Sequence, residues 1–139
     1  MLQRVRHLVL AGAFLLAPAA AAAGTTQIVV QWTMGSHGIT NAQFFDIQGV
    51  FDEHAGQYGY DSDGNDVGGG LTNFFLYADD ARVADVVRDI IAMHDGKLLP
   101  EGMRIGVAVY KDAARKDWAF RPAYPAGLKG FDIMSDTGH

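Results

Sequence analysis

Between residues 28 and 51 the apolar period changes from two to between three and four, and that switch constrains the fold more than any other feature of the chain. In "IVVQWTM" Ile28, Val30, Trp32 and Met34 point one way, while Val29, Gln31 and Thr33 point the other, the pattern of a half-buried strand. "GSHG" follows as a loop. "TNAQ" then has the form of a capping box, with Thr40 as N-cap and Gln43 at N3. Phe44, Ile47, Phe51 and Ala55 continue at helical spacing, with Phe45 and Val50 beside them, which predicts an amphipathic helix ending near Tyr58.

The alternation of elements continues. "LTNFFLYA", residues 71–78, reads as a well-buried strand. Asp79 or Asp80 is expected to cap a second helix with the stripe Val83, Val86, Val87, Ile90 and Ile91, closed by Gly96 at C′. "RIGVAVY", residues 104–110, is a strand. "KDAARKD" turns the chain, and "WAFRP" returns as a partner strand. If a short strand lies within residues 57–67, the order is β-α-β-β-α-β with an extra C-terminal strand. That order predicts an α+β domain of the ferredoxin-like, split βαβ sandwich type, an antiparallel sheet with two helices on one face. The first and third strands would be central. The alternative is a shorter α+β arrangement in which residues 61–70 are only loop. One domain over residues 24–124 and a C-terminal tail over 125–139 are expected, the tail lying on the surface or mobile.

The chain has 139 residues. "MLQRVRHLVLAGAFLLAPAAAAAG" places Arg4 and Arg6 before an apolar run that Pro18 breaks, followed by small residues, the layout of a secretory signal peptide over residues 1–23. The run of about ten residues is short against the roughly 20 that span a bilayer. A periplasmic or secreted protein with no membrane span after cleavage is therefore expected. There is no cysteine, so the core must hold the exported domain without disulfides. Removing the two leader arginines from 11 basic residues leaves nine against 16 acidic, a net charge of −7. Such a domain repels phosphate backbones, which excludes nucleic acid as the expected partner. A basic partner or a cation is electrostatically easier.

"DSDGNDVGGG", residues 61–70, admits two readings. Asp61, Asp63 and Asn65 occupy positions 1, 3 and 5 of an EF-hand-like loop, but position 6 is Asp66 and position 12 is Thr72, so an EF-hand is excluded. A weak calcium site on Asp61, Asp63, Asn65 and Asp66 is one reading. The other, which explains more residues, is a tight "DGN" turn and a glycine-rich entry to the next strand, with aspartates guarding an edge. Ser36, His37, Gly38 and Thr40 form a second candidate, a ligand-binding loop between a strand and a helix N-terminus. Catalysis has little to stand on: there is no cysteine and no G-x-S-x-G, and adjacency of Ser36 and His37 does not place an imidazole on a hydroxyl. A catalytic His37 would need a pocket at the mouth of the first strand.

Trp118, Phe120, Arg121 and Tyr124 stand among basic residues in the C-terminal third. Aromatic and arginine side chains favour interface centres, and a strand carrying them can bind a partner by strand addition or by inserting anchors. In order of elements the chain resembles small exported ferredoxin-like α+β proteins, with "GYDSDGNDVGGGLTNFFLYADD", residues 59–80, as its distinctive part. That resemblance implies a fold and carries over no functional residue. The expectation is an exported, non-enzymatic protein-binding domain of inhibitor or immunity type, with homodimerisation open. The alternative is a small-ligand or calcium-binding protein using the His37 loop or the Asp61–Asp66 loop.

Overall fold

A computed structural model describes residues 25–112 and 117–134, without side-chain detail for 110–112, 117 and 118. The expected signal peptide and the core of the "KDAARKD" turn lie outside the described residues. The elements run β1 (Thr25–Thr33), α1 (Asn41–Tyr58), β2 (Asp61–Gly68), β3 (Leu71–Asp79), a 3₁₀ turn (Asp80–Arg82), α2 (Val83–Asp95), β4 (Arg104–Asp112) and β5 (Asp117–Tyr124). They form an α+β domain with one five-stranded antiparallel sheet in the order β2-β3-β1-β4-β5. β1 alone is the middle strand. β5 lengthens the sheet beyond β4, which sets the order apart from a plain four-strand split arrangement. Among the described residues no helix is long and apolar enough to cross a membrane.

Both helices pack on one face. Alternate residues Ile28, Val30 and Trp32 of β1, Phe74, Leu76 and Ala78 of β3, and Ile105 of β4 meet Ile47 and Phe51 of α1 and Val86, Ile90 and Met93 of α2. Phe74 is the hub of this core. Its ring centroid lies 5.8 Å from Trp32, 5.4 Å from Phe44 and 5.6 Å from Phe51. Each such pair adds roughly 0.5–1.5 kcal/mol to the burial of its surface. The Trp32 indole N–H is satisfied by the carbonyl of Pro100 at 3.1 Å.

The helix ends are set by local chemistry. Gln43 N donates to Thr40 Oγ1 and Thr40 N to Gln43 Oε1, so the capping box forms as its sequence predicts. The start of α2 differs from expectation. Asp79 makes no capping bond, and Asp80 instead accepts from the Thr26 hydroxyl across the end of β1, so a 3₁₀ turn precedes the helix. Its end differs too. Gly96 has φ −75°, and the left-handed position falls on Lys97 at φ 66°. Lys97 N donates to His94 O and Leu98 N to Met93 O, a Schellman closure shifted by one residue.

The hairpin between β2 and β3 corrects the reading of "DSDGNDVGGG". Asp61 through Gly68 is a true edge strand, and the chain reverses at Gly69 and Gly70, both left-handed at φ 60° and 80°. "DGN" is not the turn. It makes a bulge, because the register slips between Ser62 and Asn65 and Gly64 takes φ 83°.

Candidate functional site

The face of the sheet turned away from the helices is not left to water. Val29 is 0% exposed, Gln31 2% and Asn73 1%. By the strand registers this face also carries Phe75, Gly106, Ala108 and Phe120. What covers it is the segment after β5, which reverses at a turn where Leu128 N donates to Pro125 O. Of the two expectations for the tail, on the surface or mobile, residues 130–134 take the first and lie against the sheet, while residues 135–139 are outside the described residues.

Two interactions hold the segment. Gln31 Nε2 donates to Asn73 Oδ1 and to the carbonyl of Asp132, each at 2.8 Å, and Asn73 Nδ2 donates to the carbonyl of Ile133 at 3.1 Å. A buried amide left unpaired costs roughly 1–3 kcal/mol, so the tail satisfies groups that the sheet alone leaves exposed to that penalty. The second interaction is steric. The Phe131 ring sits over Gly106, where a Cβ would stand 2.3 Å from its nearest ring atom. The same ring packs 5.6 Å from Phe120. Met134 N then donates to Asp132 Oδ1 at 2.8 Å, a local turn ending the docked stretch.

Between β5 and this segment lies an open cleft of about 520 Å³, walled by Phe120, Phe131, Ile133 and Met134. Among the described residues the one ionisable group in its lining is Asp132, whose carboxylate accepts from Met134 N. A single engaged carboxylate provides no acid–base pair and no activated nucleophile. The cleft can hold an apolar side chain, and the amides above it can hold a backbone.

The predicted partner-binding residues are divided by this geometry. Phe120 borders the cleft and is half-buried. Arg121 is exposed on the neighbouring position, opposite Val107. Trp118 pairs with Tyr110 in the strand register, its side chain outside the described residues. Tyr124 turns to the helix side, where its ring packs 5.7 Å from His94 and its hydroxyl lies 3.4 Å from Nδ1. β5 is the last strand of the sheet, so it has an unpaired outer edge among the described residues.

His94 is buried at the end of α2. Asp95 Oδ1 lies 3.4 Å from Nδ1. Glu101 Oε2 stands 3.5 Å from Nε2 but outside hydrogen-bond geometry, so that nitrogen has no hydrogen bond among the described residues. Lys97 donates to Glu101 at 2.9 Å. That bond and its charge hold the Glu101 carboxyl below its usual range, and Glu101 raises Lys97 in return.

The predicted ligand loop folds back on itself. Gly35 N donates to Ile39 O, Gly38 N to Gly35 O and Ile39 N to Thr33 O, so several of the backbone donors expected for an anion are engaged. Gly38 approaches Thr33 so closely that no side chain fits there. It lines a cleft of about 380 Å³ with Gln43, Lys97, Leu99 and Glu101, whereas Ser36, His37 and Thr40 do not. His37 is exposed. The predicted metal residues Asp61, Asp63, Asn65 and Asp66 are strung along β2. Asn65 Nδ2 donates to Gln48 Oε1, and Ser62 Oγ to Asp52 Oδ1, so this edge is tied to α1. Among the described residues no group of three or more His, Cys, Asp or Glu side chains is placed to hold a metal ion.

Sequence reasoning missed Gln31, Asn73, Gly106 and Phe131. A signal was present: amides at facing positions of two otherwise apolar strands, and a glycine inside a third. Comparison of the chain with protein-family models, curated proteins and solved structures finds no match.

Proposed function

We propose that this chain is an exported, non-enzymatic protein-binding module of the ferredoxin-like α+β class, engaging a partner of inhibitor-target or immunity type. One observation carries the reading: a half-buried aromatic pair, Phe120 and Phe131, walls an open cleft beside a sheet edge that has no partner strand among the described residues, with Arg121 exposed on the other face of the same strand. Aromatic anchors are favoured at interface centres, and an arginine on the same edge suits the rim of one. An open edge adds backbone hydrogen bonds that side chains then make selective. Charge supports a protein partner. No Lys or Arg occurs between Arg6 and Arg82, while nine stand from Arg82 onward, so the charge is acidic in the first part of the domain sequence and mixed in the second.

Site-specific photo-crosslinking tests it. A photoreactive residue at Arg121 should give one discrete adduct in envelope extract, lost when Phe120→Ala is added. A probe at Gly56, exposed on α1, should give none. No adduct from position 121, or the same adducts from both positions, overturns the proposal.

The 380 Å³ cleft beside Gly38 favours a second reading, a small-ligand site between the loop before α1 and the connector after α2. Lys97 and Glu101 at its wall would orient a zwitterionic or hydrogen-bonding ligand. Ligand-dependent stabilisation lost in Gln43→Ala but kept in Phe120→Ala would move the function there.

A further inference from the structure

The geometry points to a more defined partner, resting on the binding-module reading above: the helix-free face of the sheet recognises an extended peptide of the pattern aromatic-x-aliphatic, and the chain's own Phe131, Asp132 and Ile133 occupy that site as an internal stand-in. The stand-in is already seated. Its aromatic ring fills a socket that exists only because residue 106 is glycine. Its next two carbonyls are read by Gln31 and Asn73. Its aliphatic residue faces the cleft with Phe120.

Three features make this a recognition site and more than a packing contact. The polar contacts go to backbone carbonyls, which any sequence supplies, so selectivity rests on the ring and on the aliphatic side chain. The receiving groups are built into the sheet: Gln31 and Asn73 face each other across β1 and β3 and fix each other's orientation. The stand-in is incomplete, because the cleft beside it stays open and Met134 at its rim is 76% exposed. A partner segment with the same pattern and more apolar surface can take the same donors and fill the remaining space. The tail then sets a threshold. Tethered by the short turn at Pro125–Leu128, it competes at an effective concentration on the order of millimolar, so only a better ligand displaces it.

The test uses the full chain and the synthetic peptide LKGFDIM, which is the sequence of residues 128–134. Phe131→Ala empties the socket and loosens the tail, so that the Gln31 and Asn73 amides become available to a free peptide. This variant should bind the peptide saturably in calorimetry, about tenfold or more tighter than the unaltered chain. LKGADIM should not bind. Adding Gly106→Ala to Phe131→Ala should abolish binding, since the new Cβ stands where the ring must go. Should Phe131→Ala fail to fold, the unaltered chain at millimolar peptide should show shifts in the Gln31 and Asn73 side-chain amide signals with LKGFDIM alone. No saturable binding to a folded Phe131→Ala chain, or equal binding when Gly106→Ala is present, overturns the inference. So does a dimer with exchanged tails that ignores free peptide, which would make a second copy the occupant. Peptide binding without a crosslinked partner would sink only the proposed function. A crosslinked partner without peptide binding would sink only this inference.

Discussion

Replacing Gly106 by alanine should act through Phe131 and through nothing else. The added Cβ would lie 2.3, 2.5 and 2.6 Å from three ring atoms, distances no real contact tolerates. The ring must leave. Losing a half-buried phenylalanine and its contact with Phe120 forfeits about 1–2 kcal/mol. If the backbone lifts with the ring, the carbonyl contacts to Gln31 and Asn73 go as well, at about 1 kcal/mol each. Alanine in a strand returns about 0.5 kcal/mol relative to glycine. With the backbone lifted, the net expectation is a destabilisation of about 2.5–3.5 kcal/mol, read by urea unfolding followed by circular dichroism. The decisive comparison is a double-mutant cycle. In a Phe131→Ala background the obstructed ring is absent, so Gly106→Ala should be neutral or mildly stabilising, a coupling of about 3 kcal/mol. If Gly106→Ala is as costly in that background as in the unaltered chain, the clash lies elsewhere and the tail does not dock as described.

Gly49 and Gly56 sit inside α1 with open space where a Cβ would go, so Gly49→Ala and Gly56→Ala should each raise unfolding free energy by about 0.5–1 kcal/mol. Lys97 holds a left-handed backbone that glycine adopts without strain, so Lys97→Gly should raise the urea midpoint even though it removes the bond to Glu101. Burial pushes the Tyr60 hydroxyl above its ordinary value, with the nearby Tyr58 and Asp52 adding to the shift. The folded state therefore favours the neutral phenol. That preference is complete below the ordinary tyrosine value of about 10 and is lost as pH rises above it toward the raised folded value. Stability should fall from about pH 10 upward, the fall should shrink in Tyr60→Phe, and absorbance at 295 nm should show Tyr60 ionising only as the chain unfolds.

The helix-covered side of the domain was legible in the sequence because it obeys simple periods. Ile28, Val30 and Trp32 alternate, Ile47 and Phe51 recur at helical spacing, and Thr40 with Gln43 announces a helix start. Errors arose where one residue's backbone freedom was assigned to its neighbour. Gly96 was the natural left-handed closure of α2, yet Lys97 takes it, because the last helical turn runs one residue further. "DGN" looked like a turn because glycine there needs positive φ, and a bulge needs it equally. The candidate site was hidden for a different reason. Gln31, Asn73 and Gly106 are distant in sequence, and only strand register brings them into reach of the tail. Phe131 stands in a segment without periodicity, so nothing local marks it as the half-buried residue that docks on the second face.

The most direct measurement is the side-chain amide spectrum of ¹⁵N-labelled full-length chain. Gln31 and Asn73 should give shifted, slowly exchanging NH₂ pairs in the unaltered protein, and Phe131→Ala should return both to solvent-like shifts and rapid exchange. Solvent-like amides in the unaltered protein would mean that the tail does not read this face, and the account of the site would fall with it.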